Sequence, residues 1–119
     1  MRHIEETTQE HCVRWFSLQY PEYATLLHHS PNGGARNPRE GARFKRMGTR
    51  AGFPDLVFLL PRDGHPYLCI EFKTDKGRQS DTQREYQRAV ESVGGLYALV
   101  RSFDEFYTLI NEYIEQCIT

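Results

Sequence analysis

The residues best suited to chemistry are two carboxylates and an amine in two neighbouring apolar segments. Glu71 and Lys73 belong to the segment 67–73, and Asp55 opens the segment 55–60. Because alternate residues of a strand share a face, Glu71 and Lys73 are predicted to project from the same face. If the two segments pair as a hairpin, the two carboxylates can converge beside the amine.

Converging carboxylates of this kind predict a metal-assisted reaction. They repel one another unless a proton or a divalent cation lies between them, and their oxygen atoms suit Mg²⁺ or Mn²⁺. Such a cation would polarise a phosphate oxygen and lower the pKa of a bound water. The Lys73 ammonium could orient that water or stabilise charge on the phosphorane. Together Asp55, Glu71 and Lys73 indicate phosphodiester hydrolysis.

Gln83 is a further candidate for the same site. It lies three residues before Tyr86 and shares the helix face expected to pack on the sheet, from which it could reach the water or phosphate beside Lys73. Ser80 and Gln83 also have the spacing of an ordinary capping box. Both interpretations of Gln83 stay open at this point.

The register of the hairpin decides whether the carboxylates meet. Symmetric pairing about Asp63 and Gly64 places Asp55 opposite Phe72, on the wrong face for contact with Glu71. A one-residue bulge or an odd-length connection would restore the contact. If the two carboxylates form a site, we therefore expect an irregular hairpin.

These residues require a sheet with helices packed on it. Apolar periodicity and the positions of Pro and Gly predict helix 4–20, a short helix from Asn37 to Gly48, strands 55–60 and 67–73, a helix from Ser80 to Gly94, strand 96–100 and a last helix after Ser102. A strand, helix and strand in succession imply parallel pairing. The predicted class is α/β, a mixed central sheet flanked by helices, in a single domain over residues 1–119.

Composition supports a soluble globular domain. The 119 residues are 39% hydrophobic and 13% aromatic, too apolar for a disordered chain. No apolar run approaches the roughly 20 residues that span a bilayer, so we expect no membrane segment and a cytoplasmic location. Three widely spaced cysteines predict buried free thiols: Cys12, Cys69 and Cys117.

Charge is distributed unevenly although its sum is −1. Between residues 35 and 50 only Glu40 opposes six basic residues, Arg36, Arg39, Arg43, Lys45, Arg46 and Arg50. We interpret this segment as a surface that contacts the phosphates of a DNA backbone. A solvated charged helix face is the alternative.

The ordered motifs carry a family resemblance. Gly52-Phe53-Pro54-Asp55, Ile70-Glu71-Phe72-Lys73 and Ser80-x-x-Gln83 resemble the PD-(D/E)XK nuclease signature, and specifically that of the virus-type replication-repair nuclease (VRR-NUC) family. The resemblance extends to residues 31–34 and 45–52 and to the first helix. It implies a restriction-endonuclease-like PD-(D/E)XK core.

The resemblance also assigns roles. It implies that Asp55, Glu71 and the backbone carbonyl of Phe72 bind the metal, that Lys73 assists the attacking water and that Gln83 supports the site. An acidic residue of the first helix is expected to contribute as well. Among Glu5, Glu6 and Glu10 we choose Glu5, because it lies one helical turn before Gln9 on the apolar stripe.

Small members of this kind are phage or bacterial replication and repair enzymes, so the resemblance implies a DNA endonuclease acting on branched DNA, with four-way (Holliday) junctions favoured. A junction offers two symmetric cuts, and one domain holds one site, so we expect a two-fold homodimer. The alternative is a catalytically silent nucleic-acid-binding or scaffold module with a nuclease fold. A sequence-specific restriction enzyme would need recognition elements for which 119 residues leave little room.

Overall fold

The computed structural model describes residues 2–31 and 37–115. Its elements, in chain order, are α1 (Arg2–Gln19), a 3₁₀-helix (Pro21–Leu26), β1 (Leu27–His29), α2 (Pro38–Arg46), β2 (Leu56–Phe58), β3 (Leu68–Phe72), α3 (Asp81–Ser92), β4 (Leu96–Val100) and α4 (Phe103–Glu115). The predicted helices and strands are present, with β2 and β3 shorter than expected. The sequence pattern misses the 3₁₀-helix and β1, because three strand residues are too few to show a periodicity.

The four strands form one mixed sheet in the order β1-β2-β3-β4. β1 with β2 and β2 with β3 are antiparallel, whereas β3 and β4 are parallel and are joined through α3. The predicted α/β class, a mixed central sheet flanked by helices, is confirmed.

Alternate residues of β3 face opposite layers of helices. Leu68, Ile70 and Phe72 belong to the main core, which includes residues of α1 and α4. Cys69 points to the other face, where it packs with Val90 of α3 in a smaller cluster. β3 is buried along its whole length, and this placement puts the Glu71 side of the strand under α3.

The hairpin between β2 and β3 is irregular, as predicted. A tight turn pairs Arg62 with His65 at its tip, while the ladder pairs Phe58 with Leu68 and Leu56 with Ile70. Residues 59–61 on one side thus oppose residues 66–67 on the other, so one extra residue is inserted. The insertion shifts the register by one and brings Asp55 level with Glu71.

The two described cysteines are structural. Cys12 and Cys69 are buried free thiols, as predicted, and Cys117 lies outside the described residues. Burial raises the pKa of Cys12 to about 12 and that of Cys69 to about 11, so both thiols stay protonated near neutral pH. Among the described helices, none has the length and apolarity needed to cross a membrane.

Candidate active site

The Asp55 side chain is hydrogen-bonded to β3, the strand that carries Glu71. Its Oδ2 accepts a hydrogen bond of 2.7 Å from the backbone N–H of Phe72. The N–H and C=O groups of one strand residue point toward the same neighbour, so the Phe72 carbonyl also opens on the Asp55 side. Two carboxylates and one backbone carbonyl, the set expected from the resemblance, therefore come from adjacent positions of a single hairpin.

The surroundings of Asp55 disfavour its negative charge. Burial raises the pKa of Asp55 above its ordinary value, and the charges of Glu71 and Glu5 add to the effect. The Phe72 N–H and His29 oppose it. A divalent cation would relieve this excess of negative charge, since opposite charge favours the ionised carboxylate.

Glu71 is 1% exposed and its two oxygens have different partners. Oε1 accepts hydrogen bonds from the Tyr97 hydroxyl and, at 3.3 Å, from Gln79 Nε2. Oε2 is buried and has no hydrogen-bond partner among the described residues. It lies 3.4 Å from Lys73 Nζ, close enough for an ion pair.

These donors fit a hard divalent cation. The Glu71 oxygen without a hydrogen bond, Asp55 and the Phe72 carbonyl are the oxygen ligands that Mg²⁺ and Mn²⁺ prefer. Within residues 2–31 and 37–115, no three His, Cys, Asp or Glu side chains cluster as metal ligands. Glu5 is therefore not gathered with the two carboxylates as a third carboxylate ligand.

Glu5 nevertheless borders the site. With Glu6, Glu10, His29 and Asp55 it lines a cavity of about 470 Å³. Glu5 also lines a neighbouring cavity of about 380 Å³ that contains Lys73. Of the three candidate glutamates, it is the one whose charge raises the pKa of Asp55.

His29 occupies a position that the sequence does not reveal. Its Nδ1 lies 2.7 Å from the backbone carbonyl of Asp55, so Nδ1 carries the hydrogen of this bond. The contact exists because β1 pairs with β2 and sets His29 opposite Leu56. The residues around 27–29 show no pattern that predicts this pairing.

Gln83 forms the capping box of α3 and also faces the site. Its Oε1 accepts from the Ser80 N–H at 2.8 Å, and its own N–H donates to Ser80 Oγ at 3.2 Å. The same residue lines a cavity of about 500 Å³ with Asp55. The capping interpretation is confirmed, and a role beside the water or phosphate stays a prediction.

Gly52 allows the loop before Asp55 to reach α3. Its φ is +81°, and a Cβ there would lie 2.4 Å from the carbonyl oxygen of Thr82. Only glycine combines this dihedral with so close an approach. The contact closes one side of the cavity that Asp55 and Gln83 share.

Two residues that donate hydrogen bonds to Glu71 are not predicted from the sequence. Tyr97 is a buried strand residue with a polar tip, and Gln79 lies in the connection before α3. Burial, and then the hydrogen bond to Glu71, raise the pKa of Tyr97 above its ordinary value, so its hydroxyl keeps its proton. The sequence indicates only that Tyr97 has a hydroxyl in an apolar strand, and this does not predict that Glu71 is its hydrogen-bond partner.

Arg101 holds the connection that follows Lys73. Its guanidinium donates to the backbone carbonyls of Thr74 and, at 2.8 Å, Gly77. Its backbone N–H donates to Glu105 Oε1 at 2.8 Å. Arg101 thus ties the segment leading to Gln79 to the start of α4.

The basic segment borders Asp55. Its described basic residues are exposed, namely Arg39, Arg43, Lys45, Arg46 and Arg50. Arg36 lies outside the described residues. Asn37 caps α2 through a hydrogen bond of 2.9 Å from Glu40 N–H. Lys45 and Arg50 line the same cavity as Asp55. A phosphate chain on this surface would therefore lead to the candidate metal site.

Comparison with known proteins agrees with this geometry. The family model of the VRR-NUC domain matches residues 3–104. A solved structure described as a "VRR_NUC domain protein" is 28% identical, with a TM-score of 0.83, and the match covers 94% of this chain and 88% of that one. No curated protein matches the chain significantly. The chain therefore belongs to the VRR-NUC family and is a nuclease-type domain.

Proposed function

We propose that the protein is a Mg²⁺- or Mn²⁺-dependent endodeoxyribonuclease that hydrolyses phosphodiesters in branched DNA, with four-way junctions favoured. The observation that carries the proposal is the arrangement of Glu71. Its buried Oε2 has no hydrogen bond in the described part of the chain, lies 3.4 Å from Lys73 Nζ and belongs to the strand tied to Asp55. A silent module would have no need to keep this costly arrangement.

The residues divide the work as follows. Asp55, Glu71 Oε2 and the Phe72 carbonyl would hold the cation, which supplies a Lewis acid for the phosphate. Lys73 orients the attacking water or stabilises the negative charge that develops on the phosphorane. Glu5 and Gln83, each in a cavity with Asp55, support the site from the two sides.

The basic surface would contact DNA without reading its sequence. The exposed side chains of α2 and Arg50 suit phosphate contacts, which position a duplex but carry no base information. Lys45 and Arg50 lie at the cavity that leads to Asp55. This arrangement supports selection by DNA shape rather than by sequence.

A two-fold homodimer would place two sites on a junction. Leu18 of α1 and Tyr107 of α4 are 78% and 48% exposed, an apolar surface that a second copy could cover. A light-scattering mass at micromolar concentration near twice 14.0 kDa is expected. A mass near 14.0 kDa would remove the dimer. The family resemblance also supports a phage or bacterial replication and repair setting.

The test is cleavage of labelled four-way junction, splayed-arm and linear duplex DNA with Mg²⁺, Mn²⁺ or EDTA. Glu71→Gln is compared with Glu112→Gln, a matched change at an exposed position of α4. We expect metal-dependent cutting of the junction by wild type and Glu112→Gln, and no cutting by Glu71→Gln. Cutting of the other forms alone would discard the junction preference, and binding without cutting would support the scaffold module.

A further inference from the structure

The two donors on Glu71 converge on a single oxygen. Tyr97 and Gln79 both donate to Oε1, and Oε2 has no hydrogen bond among the described residues although it is buried. Oε2 forms an ion pair with Lys73 Nζ at 3.4 Å, and a buried carboxylate oxygen that lacks a hydrogen bond still costs free energy unless a ligand completes its contacts. The asymmetry leaves Oε2 as the oxygen available to a ligand.

Packing on the sheet fixes the Tyr97 ring independently of its hydrogen bond to Glu71. The parallel register sets Tyr97 opposite Cys69, and its ring packs in the cluster with Cys69 and Val90. The residue is 6% exposed. Because the ring is fixed by packing on the sheet, its hydroxyl offers a donor at a constant position.

Gln79 is oriented by a chain of side chains along α3. Gln87 Nε2 donates to Glu91 Oε2 at 3.0 Å, and Gln79 Nε2 donates to Gln87 Oε1 at 2.9 Å. A carboxylate only accepts hydrogen bonds, so Glu91 holds the NH₂ group of Gln87 toward itself and leaves the Gln87 oxygen facing Gln79. That oxygen in turn orients the NH₂ group of Gln79. The NH₂ group of Gln79 is thereby directed toward Glu71.

We propose that Tyr97 and Gln79 are positioning residues that together hold Oε1 of Glu71 and so direct Oε2 toward the divalent cation, with Gln87 and Glu91 setting the orientation of Gln79. This inference rests on the proposed function. Groups that orient metal ligands typically change metal affinity by about 10–100-fold when removed. Neither residue touches the substrate in this scheme, and both act through Glu71.

The test measures Mn²⁺ binding without DNA, by calorimetry, for wild type, Tyr97→Phe, Gln79→Met and the double variant. The matched control is Tyr113→Phe. Tyr113 is also buried, and its hydroxyl donates to the Leu60 carbonyl at 2.6 Å, on the opposite face of the sheet. Unfolding temperatures with and without Mn²⁺ separate loss of stability from loss of metal binding.

We expect Tyr97→Phe and Gln79→Met each to weaken Mn²⁺ binding about tenfold. The double variant should lose less than the product of the two, because both donors serve one oxygen. Tyr113→Phe should lower the unfolding temperature and keep the wild-type Kd. Cleavage by Tyr97→Phe should recover at saturating Mn²⁺, which a damaged fold would not allow.

Wild-type Kd values for both Tyr97→Phe and Gln79→Met would overturn the positioning role while leaving the nuclease proposal intact. Equal Kd losses in Tyr97→Phe and Tyr113→Phe would overturn it too, because stability alone would explain them. A wild type that binds no Mn²⁺ would overturn the proposed function and this inference together. If Tyr97→Phe does not fold, Gln79→Met, in a half-buried connection, decides the question.

Discussion

Lys73 Nζ lies 3.4 Å from Glu71 Oε2, and the two side chains are 14% and 2% exposed. Attraction between charges is stronger in such a shielded place than at the surface, because little water screens it. Loss of either partner leaves the other charge buried without compensation. The ion pair therefore joins the residue proposed to act on water to the residue proposed to hold the metal.

Replacement of Lys73 with alanine should abolish cleavage and leave DNA binding largely intact. Removal of one preorganised charge-stabilising group typically slows a reaction by about 10²–10³-fold. Single-turnover cleavage and fluorescence anisotropy on the same junction measure the two effects. Lys76→Ala is the control, since Lys76 is exposed in the same connection. Equal losses of binding and cleavage would contradict this division of roles.

Charge reversal at Arg43 or Arg46 should weaken DNA binding for every sequence. Each lost phosphate contact also makes the negative slope of log K against log salt shallower by about 1. Anisotropy titrations at several salt concentrations give both quantities. Reversal of Arg14, an exposed residue in the middle of α1, should change the slope much less. An unchanged slope for the variants of α2 would show that this helix does not contact the backbone.

Asp55→Asn should stabilise the metal-free protein near neutral pH. Burial raises the pKa of Asp55 above its ordinary value of 3.8, so the folded protein binds this proton more tightly than the unfolded chain does. The ionised group then destabilises the fold above its folded pKa, and this effect fades as the pH falls toward 3.8. Asparagine can still accept from the Phe72 N–H.

Thermal unfolding from pH 7 to pH 4 in EDTA measures this effect. The Tm gain of Asp55→Asn over wild type is expected to be roughly 2–5 °C at neutral pH and to shrink with acid. Asp75→Asn, at an exposed position, controls for the general effect of losing a charge. A gain that stays constant with pH would show that burial of this carboxylate is not its cause.

Gly52→Ala should destabilise the fold more than Gly64→Ala. Both glycines have φ of +81°, but a Cβ at Gly52 meets Thr82 O at 2.4 Å, whereas Gly64 has no atom within 4 Å. The dihedral costs about 1–2 kcal/mol at either position, and the overlap at Gly52 adds about 1–3 kcal/mol. Denaturant unfolding of the two variants isolates the overlap. Equal losses would show that the loop before Asp55 can move away from α3 at no cost.

Much of the fold follows from local patterns. The alternation of Leu68, Ile70 and Phe72 against Cys69 and Glu71 predicts the two faces of β3, and both are found. The capping signal of Ser80 and Gln83 marks the start of α3 correctly, because a cap joins residues three apart in the chain. The irregular hairpin is predicted because only a shifted register lets the two carboxylates meet. In each case the interacting groups are near in sequence.

The sequence by itself determined the family, the order of the elements other than the 3₁₀-helix and β1, and the placement of Asp55 and Glu71 on the two arms of one hairpin. Only the tertiary structure decided which residues surround them. Tyr97 reaches Glu71 through a parallel register across the α3 connection, and His29 reaches Asp55 through a three-residue strand. The physical reason is that these registers are set by packing between residues 26 positions apart, for which no local dihedral or capping preference provides a signal.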